Sequence, residues 1–181
     1  MSAGYPFRGP VPEIQGGTAF AVQMRDVSPD GTVNWKGLVR TELGATVESY
    51  LLRPGDILFV SRGMRFFAVC ASEVPCPAVC SPHFLMIRVK TSGLLPEFLA
   101  WQINQLPAQR YLRQTAEGSN QLSIRRGTLE AMPIVVPALA QQQQAVDLAA
   151  LALRERVLHE ALVQNREQEL HALADRMLQK N

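Results

Sequence analysis

The chain has 181 residues, of which 47% are hydrophobic, and its formal net charge is +2. This length suits one compact domain with an appendage or two very small domains, and the apolar content excludes a disordered chain. No stretch approaches 18 consecutive apolar residues, so no membrane span is expected, and residues 1–20 lack the cationic start and apolar run of a secretory signal. Three cysteines, an odd number, favour a reducing cytoplasm over a disulfide framework.

The positive charge is concentrated in the first three quarters of the chain. Residues 1–137 carry 13 Lys and Arg against 10 Asp and Glu, a net of +3, whereas residues 138–181 carry 5 against 6, a net of −1. In the first segment 11 of the 13 cations are arginines. Because arginine makes bidentate contacts with phosphate and guanine, this bias fits a nucleic-acid ligand, although a GC-rich genome would produce the same bias.

Residues 1–137 are predicted to begin with short strands. After a Gly- and Pro-rich N-terminal segment, alternating polarity predicts a strand over residues 18–27, and "SPDG" predicts a turn after which "TVNW" can pair back. Pro54-Gly55-Asp56 predicts a tight turn that leads into a core strand. The segments "GDILFVSRG" and "FFAVCA" then predict a hairpin whose tip is "SRGMR", and residues 83–90 predict a further strand.

Helical spacing replaces this alternation further along the chain. "LPEFLAWQINQL" has apolar residues at i, i+3 and i+4, which predicts a helix that begins near Pro96 and is interrupted at Pro107. "AQRYLRQTA" is predicted to continue as a shorter or kinked helix, and "EGSNQLSIRRG" is polar and typical of a turn, with a short strand possible at 122–124. "MPIVVP" is predicted to be a strand. The fold class expected is α+β, with a small mixed β-sheet/α domain.

One long helix is predicted over residues 138–181, which contain no Gly or Pro and are dense in Ala, Leu, Gln, Glu and Arg. A helix of this length spans roughly 60 Å, more than a small domain. We therefore expect part of it to project, with an apolar face that needs a partner, although it could instead lie back on its own domain. The candidate partner-contact residues are Val146, Leu153, Val157, Leu170 and Met177.

Motifs of the common catalytic sites are absent from the sequence. It has no glycine fingerprint for a dinucleotide or AdoMet, no P-loop, no Glu-x-Lys nuclease signature and no G-x-S-x-G elbow. Four possible zinc ligands lack the paired C-x2-C spacing, and their apolar flanks favour free thiols over metal: Cys70, Cys76, Cys80 and His83. The sequence therefore predicts a binding protein with no cofactor.

Several segments follow one another in an order that resembles the specificity subunits of type I restriction-modification systems. They are "GYPFRGPVPE", "VQMRDVSPDG", "LRPGDILFVSRG", "SPHFLMIRV", "LPEFLAWQIN" and "EGSNQLSIRRGTLEAMPIVVPALAQQQ". They include the L-x-x-G-D-I-L strand, the G-S turn before a basic segment, and the I-x-x-P-x-L-x-x-Q junction into a long helix. That junction is formed here by Ile134, Pro137, Leu139 and Gln142. The chain most closely resembles one half of such a subunit, and it has Gln141-Gln142 where Glu-Gln is common.

The resemblance implies a target recognition domain over residues 1–137, followed by a spacer helix over residues 138–181. A full-length specificity subunit has two such units with antiparallel helices, and each recognition domain reads half of a split site on double-stranded DNA. A chain with one unit is therefore expected to form a homodimer through the C-terminal helix and to dock a DNA methyltransferase (modification) subunit. The resemblance implies a cytoplasmic DNA-recognition subunit that is not itself an enzyme.

Two arginine-bearing segments are the candidate DNA contacts. Arg62 and Arg65 flank the hairpin tip, where they contact phosphate or belong to an ordinary solvated loop. The second segment combines four arginines with one acid and with polar side chains that can bind phosphates or read adenine edges. Its candidate residues are Arg110, Arg113, Ser119, Asn120, Gln121, Arg125 and Arg126. The alternative to a DNA reader is a protein-interaction scaffold that keeps this fold but no longer reads DNA, which the modest charge of residues 1–137 allows.

Overall fold

A computed structural model describes residues 1–44, 47–119 and 121–178. The chain divides into two compact units, Met1–Gln143 and a second unit that begins at Gln144. The helices and strands, in chain order, are β1 (Ser2–Ala3), β2 (Ala19–Val22), β3 (Val39–Thr41), β4 (Asp56–Val60), β5 (Phe67–Ala71), β6 (Ala78–Cys80), β7 (Phe84–Ile87), α1 (Pro96–Ile103), α2 (Leu106–Thr115), α3 (Arg126–Glu130) and α4 (Leu139–Leu178).

Two sheets form the β part of the first unit. One has four strands, all antiparallel, in the order β1-β7-β4-β5, and the other has three strands in the order β3-β2-β6, of which β2 and β6 are parallel. The predicted hairpin is confirmed, because β4 pairs with β5 from Asp56↔Ala71 to Val60↔Phe67. These mixed sheets, together with the helices, confirm the predicted α+β class.

Strand β4 lies at the centre of the core, and all five of its residues are buried. Because side chains alternate across a strand, Ile57 and Phe59 face one way and pack with residues of α1, α2 and α3. Leu58 and Val60 face the other way and pack with β2 and β6, for example with Val22. The four-stranded sheet is therefore buried on both faces, between a helical layer and the three-stranded sheet.

The turn before β4 is held by a buried carboxylate. Gly55 has φ +84°, a conformation that favours glycine, and it brings Asp56 to the first position of the strand. The Asp56 carboxylate is 1% exposed, accepts two 2.6 Å hydrogen bonds from the Arg88 guanidinium and one from the Arg53 backbone N–H at 2.7 Å. Hydrogen bonding to this carboxylate raises the pKa of Arg88 above its usual value. The predicted turn therefore also ties β4 to the segment that follows β7.

Several parts of the structure differ from the sequence prediction. The strand over 18–27 ends at Val22, and Met24–Asp26 form a 3-10 turn because the Asp26 carboxylate accepts a 2.8 Å hydrogen bond from the Gln23 backbone N–H. The strand predicted over "MPIVVP" is wrong, since residues 133–138 have no regular structure. Two prolines there remove backbone donors, and the Val135 N–H is bound by the Gln102 side chain instead of a neighbouring strand.

The beginning of α4 is anchored in the first unit by one glutamine. The Gln142 side chain is fully buried; its Oε1 accepts from the Leu95 N–H, and its Nε2 donates to the carbonyls of Gly93 and Pro137, each at 2.8 Å. Both ends of the amide are therefore satisfied, which is required of a buried polar group. The same side chain joins the segment before α1 to the segment before α4.

Helix α4 confirms the prediction of a single long helix and has 40 residues. Beyond Gln142, its described residues are exposed or only partly buried. In the described part of the chain, no helix is both long and apolar enough to cross a membrane.

Candidate nucleic-acid interface

The structure brings the two predicted arginine-bearing segments together. The Gly63 N–H donates to the Leu122 carbonyl at 3.0 Å, and the Ile124 N–H donates to the Ser61 carbonyl at 2.9 Å. Arg62 and Ser123 form an isolated β-bridge between these two bonds. Residues 122–124 therefore pair with the hairpin tip through a single β-bridge and two flanking hydrogen bonds, although the two segments are far apart in sequence.

A local turn prepares the second segment for this pairing. The backbones of Glu117 and Ser123 exchange two hydrogen bonds, of 3.0 and 2.8 Å, which close the loop between them. Gly118 has φ +112°, and a Cβ at this position would lie 2.3 Å from the Gln121 carbonyl oxygen. Only glycine fits this position, because the conformation and the space both exclude a side chain. The G-S pair noted in the sequence is thus part of the support for the hairpin tip.

Helix α2 contributes the next arginines because it is amphipathic. Ala108 and Leu112 are buried one turn apart, which directs Arg110 and Arg113 to solvent. Arg113 lines an open cleft of about 410 Å³ together with Arg65 from the hairpin tip. The other lining residues are Pro29, Met64, Phe66, Phe67, Asn104, Gln109 and Leu122. The cleft therefore combines apolar and polar lining residues with two guanidinium groups from separate elements.

The candidate arginines fall into two electrostatic groups. Arg125 forms a 2.7 Å ion pair with Glu117, and Arg126 forms a 2.8 Å ion pair with Glu130. Arg62, Arg65, Arg110 and Arg113 are exposed and have no ion pair within residues 1–44, 47–119 and 121–178. Since an unpaired guanidinium has no protein carboxylate to give up before it contacts phosphate, these four are the stronger candidates for a polyanion site.

The remaining predicted contacts lie in the loop between α2 and α3. Ser119 and Gln121 are exposed beside Gly118 and are free to face a ligand. Asn120 lies outside the described residues. Asn104, which also lines the cleft, has a structural task, because its amide makes two 2.8 Å hydrogen bonds to the backbone of Ala68 on the edge strand β5.

Sequence reasoning missed several residues around the hairpin tip. Met64, at its apex, is 98% exposed. A second cleft of about 340 Å³ includes Gln23, Arg25, Ser81 and His83, and it adjoins the tip because the His83 carbonyl accepts hydrogen bonds from both the N–H and the hydroxyl of Ser61. Period-2 alternation predicts the hairpin but not which distant segments lie beside its tip, so no local pattern identifies this second cleft.

The cysteines are packed as neutral thiols. Burial raises the pKa of Cys80 to about 12, and burial together with the nearby Glu97 carboxylate raises the pKa of Cys70 to about 12. Burial also raises the pKa of the more exposed Cys76. In the described part of the chain, no three His, Cys, Asp or Glu side chains are grouped so that they could hold a metal ion.

The candidate partner residues of α4 leave much apolar surface in solvent. Val146 and Leu153 are partly buried, whereas Val157, Leu170 and Met177 are 53%, 65% and 69% exposed. Leu148, Leu151, Leu158 and Leu162 are also at least 58% exposed, so the apolar arc is wide in the first half of the helix. Such exposed patches mark interaction surfaces in folded proteins.

Comparison with known proteins identifies the fold. No protein-family model matches the sequence, and no curated protein matches it. A solved structure does match: the HsdS subunit from Thermoanaerobacter tengcongensis, with a TM-score of 0.62 and 20% sequence identity. The match covers 83% of this chain and 39% of that chain, so this chain spans less than half the length of the HsdS subunit. The chain therefore has an HsdS-like fold, with mixed sheets followed by a long C-terminal helix.

Proposed function

We propose that this chain is the non-catalytic, sequence-specific DNA-binding subunit of a type I-like restriction-modification complex. The observation that carries this proposal is the supported hairpin tip, where Arg65 lines one cleft with Arg113, Arg62 is exposed on the same tip, and none of the three has an ion pair among the described residues. Phosphate contacts from such a cluster fix a protein on the duplex, and the neighbouring Ser119 and Gln121 supply hydrogen-bonding groups for base edges. The HsdS-like fold supports the same function.

In the proposed complex, residues 1–137 read DNA and residues 138–181 form a spacer. Helix α4 would pair with the α4 of a second copy, and the resulting homodimer would dock the methyltransferase subunit that performs the chemistry. The exposed apolar arc of α4 supports this assignment, since it includes Leu158 and Leu162, whose side chains are 58% and 61% exposed. In a two-fold dimer the two identical readers meet opposite DNA strands.

The salt dependence of duplex binding tests the DNA-reading role. Binding to a random-sequence duplex is measured at several salt concentrations for the wild type and for the variant Arg62→Ala/Arg65→Ala/Arg113→Ala. The slope of log K against log salt is negative, and each lost phosphate contact reduces its magnitude by about 0.9, so we expect the magnitude to fall by up to roughly three units. Arg125→Ala/Arg126→Ala is expected to have a smaller effect, because these residues must first release Glu117 and Glu130.

Arg53→Ala is the matched control for this experiment. Its side chain is exposed, but it lies at the opposite end of β4 from the hairpin tip. The control should bind with the wild-type slope. An unchanged slope in the folded triple variant would remove the tip from the DNA interface.

The second candidate function is a protein-interaction scaffold that no longer reads DNA. The neutralisation of Arg125 and Arg126 by carboxylates favours it, because it reduces the positive charge available at this surface. A scaffold would bind the methyltransferase subunit but show no salt-dependent shift of duplex DNA, either alone or with that partner present.

A further inference from the structure

Met64 occupies an unusual position at the apex of the hairpin tip. Its side chain is 98% exposed, which is the largest exposure of any large hydrophobic residue in the described part of the chain. It lies between Arg62 and Arg65, and directly after Gly63, whose φ of +116° favours glycine. An isolated exposed apolar residue is ordinary on a protein surface, so the surroundings must decide whether this one has a role.

The backbone beneath Met64 is held on both sides. Residues 122–124 bind the tip through the Gly63 and Ile124 hydrogen bonds, and the Ser61 hydroxyl donates to the His83 carbonyl at 2.9 Å. Below the tip, β4 and β5 are paired over their whole lengths. The backbone of the tip is therefore held by hydrogen bonds on both sides, and Met64 stands at the edge of the adjoining cleft with its side chain almost wholly in solvent.

The charges around Met64 indicate what this side chain meets. Arg62 and Arg65, the arginines nearest in sequence, and Arg113, which lines the cleft with Met64 and Arg65, are exposed and have no ion pair among the described residues, so they attract phosphates to the surface around the apex. Leu122, which is 40% exposed, adds apolar surface beside Met64 in the same cleft. An apolar apex framed by guanidinium groups matches duplex DNA, in which a stacked apolar interior lies between two phosphate strands.

We propose that Met64 is a wedge that inserts between two adjacent base pairs and kinks the duplex, an inference that rests on the proposed DNA-reading function. Apolar side chains, methionine among them, act in this way in several DNA-bending proteins. Methionine suits the task because it is unbranched and polarizable and adapts to irregular gaps. The kink makes recognition depend on how easily the base step deforms, which adds sequence preference without a hydrogen bond to a base.

Affinity alone is a poor test of the wedge. Removing Met64 loses the burial of an apolar side chain, but it also removes the cost of unstacking a base step, and these two effects have comparable size and opposite sign. We expect Met64→Ala to change affinity by less than about ten-fold. If Met64 is the wedge, Met64→Ala must abolish the deformation of the DNA.

The experiment uses the full chain and duplexes enriched by it from a library with a randomised core. Bending is measured by energy transfer between dyes on the two ends, and unstacking by the fluorescence of 2-aminopurine placed at successive positions. Wild type should raise both signals, Met64→Leu should retain them because it is similar in volume, and Met64→Ala should bind with both near the free-duplex values. Val135→Ala, which truncates another exposed apolar side chain, should behave as wild type.

The outcomes separate the wedge from the DNA-reading function on which it rests. If the library is not enriched and no salt-dependent binding occurs, the DNA-reading function fails. If wild type binds an enriched duplex without bending or unstacking it, or if Met64→Ala deforms the duplex as wild type does, the wedge is wrong while DNA binding stands.

Discussion

Asp56 is a buried carboxylate whose removal would leave several groups without partners. Its oxygens accept hydrogen bonds from Arg88 and from the Arg53 backbone, and Arg88 also binds the Leu51 carbonyl. Removing one partner of a buried pair is costly because the other charge and the turn N–H remain, so Asp56→Ala should lower the free energy of unfolding by about 3 kcal/mol. Urea denaturation measures this change.

Glu73→Ala is the control for that variant, since it removes an exposed carboxylate near the end of the same hairpin. It should leave the unfolding midpoint within error of the wild type. Equal stability of the Asp56 and Glu73 variants would show that the Asp56–Arg88 pair contributes nothing to the fold.

The three thiols should differ in reactivity. Cys70 and Cys80 have pKa values raised to about 12, so at pH 8 the folded protein holds them as neutral thiols, and the thiolate is the reactive form. We expect a disulfide reagent to label Cys76 first in the native protein and all three only after unfolding. Because folding raises the pKa of Cys70 and Cys80, the stability of the fold also depends on pH. Above the thiol pKa of the unfolded chain, near 8.5, unfolding releases protons from these two thiols, so their contribution to the free energy of unfolding decreases as the pH rises towards 12. Fast native labelling of Cys80 would contradict this packing.

At the scale of the elements, Gln142 links the beginning of α4 to the segment before α1. Gln142→Ala leaves the Leu95 N–H and the Gly93 and Pro137 carbonyls without this partner, which should destabilise the first unit by about 2–3 kcal/mol. Its neighbour Gln141→Ala, which truncates an exposed side chain, is the matched control and should cost little. Thermal unfolding of both variants compares them, and equal midpoints would refute the anchor.

The elements that could be predicted from the sequence are those with a strong local pattern. The β4–β5 hairpin follows from alternation around a Gly-containing tip, and α4 follows from forty helix-favouring residues without Gly or Pro. The five-residue α3 and the three-residue β6 are too short to show a period, and β6 is defined by its distant parallel partner β2. The apolar composition of "MPIVVP" predicts a strand, but its two prolines have no backbone N–H groups with which to pair with a neighbouring strand.

The candidate site was predictable only in part, because a local pattern does not show which distant segments lie together in the fold. Charge clustering identified the arginines near the hairpin tip and those after α1 as separate segments. Their pairing depends on backbone hydrogen bonds between residues 61–63 and 122–124, which no sequence pattern encodes. The ion pairs of Arg125 and Arg126 likewise depend on where Glu117 and Glu130 lie in the fold.

At the scale of the whole molecule, the proposed homodimer gives a direct prediction. Burial of each Leu or Val side chain contributes roughly 1.5–3 kcal/mol, so a few contacts per chain along α4 are sufficient to hold two copies together. Leu153→Glu/Val157→Glu should produce a monomer, because the new charges would be buried without partners. Light scattering at micromolar concentration measures the mass.

The control for the dimer makes the same change in net charge elsewhere on α4. Arg156→Glu alters an exposed residue outside both the stripe that contains Leu153 and Val157 and the stripe that contains Leu151 and Leu158, and it should stay dimeric. A monomeric wild type would refute the homodimer, and the placement of two identical readers on opposite DNA strands would then require the methyltransferase to bring two copies together.

Under the proposed DNA-reading function, the pairing of the hairpin tip with residues 122–124 also constrains how the chain could acquire a new target. Transplanting residues 61–65 alone from a relative would set a foreign tip against the resident support, and the backbone hydrogen bonds of Gly63 and Ile124 would have to form between segments of different origin. The shortest segment that carries both the tip and its support is therefore residues 61–124. Under the proposed function, recombination with crossovers outside this stretch would exchange the tip together with its support, whereas crossovers inside it would join a tip and a support from different parents.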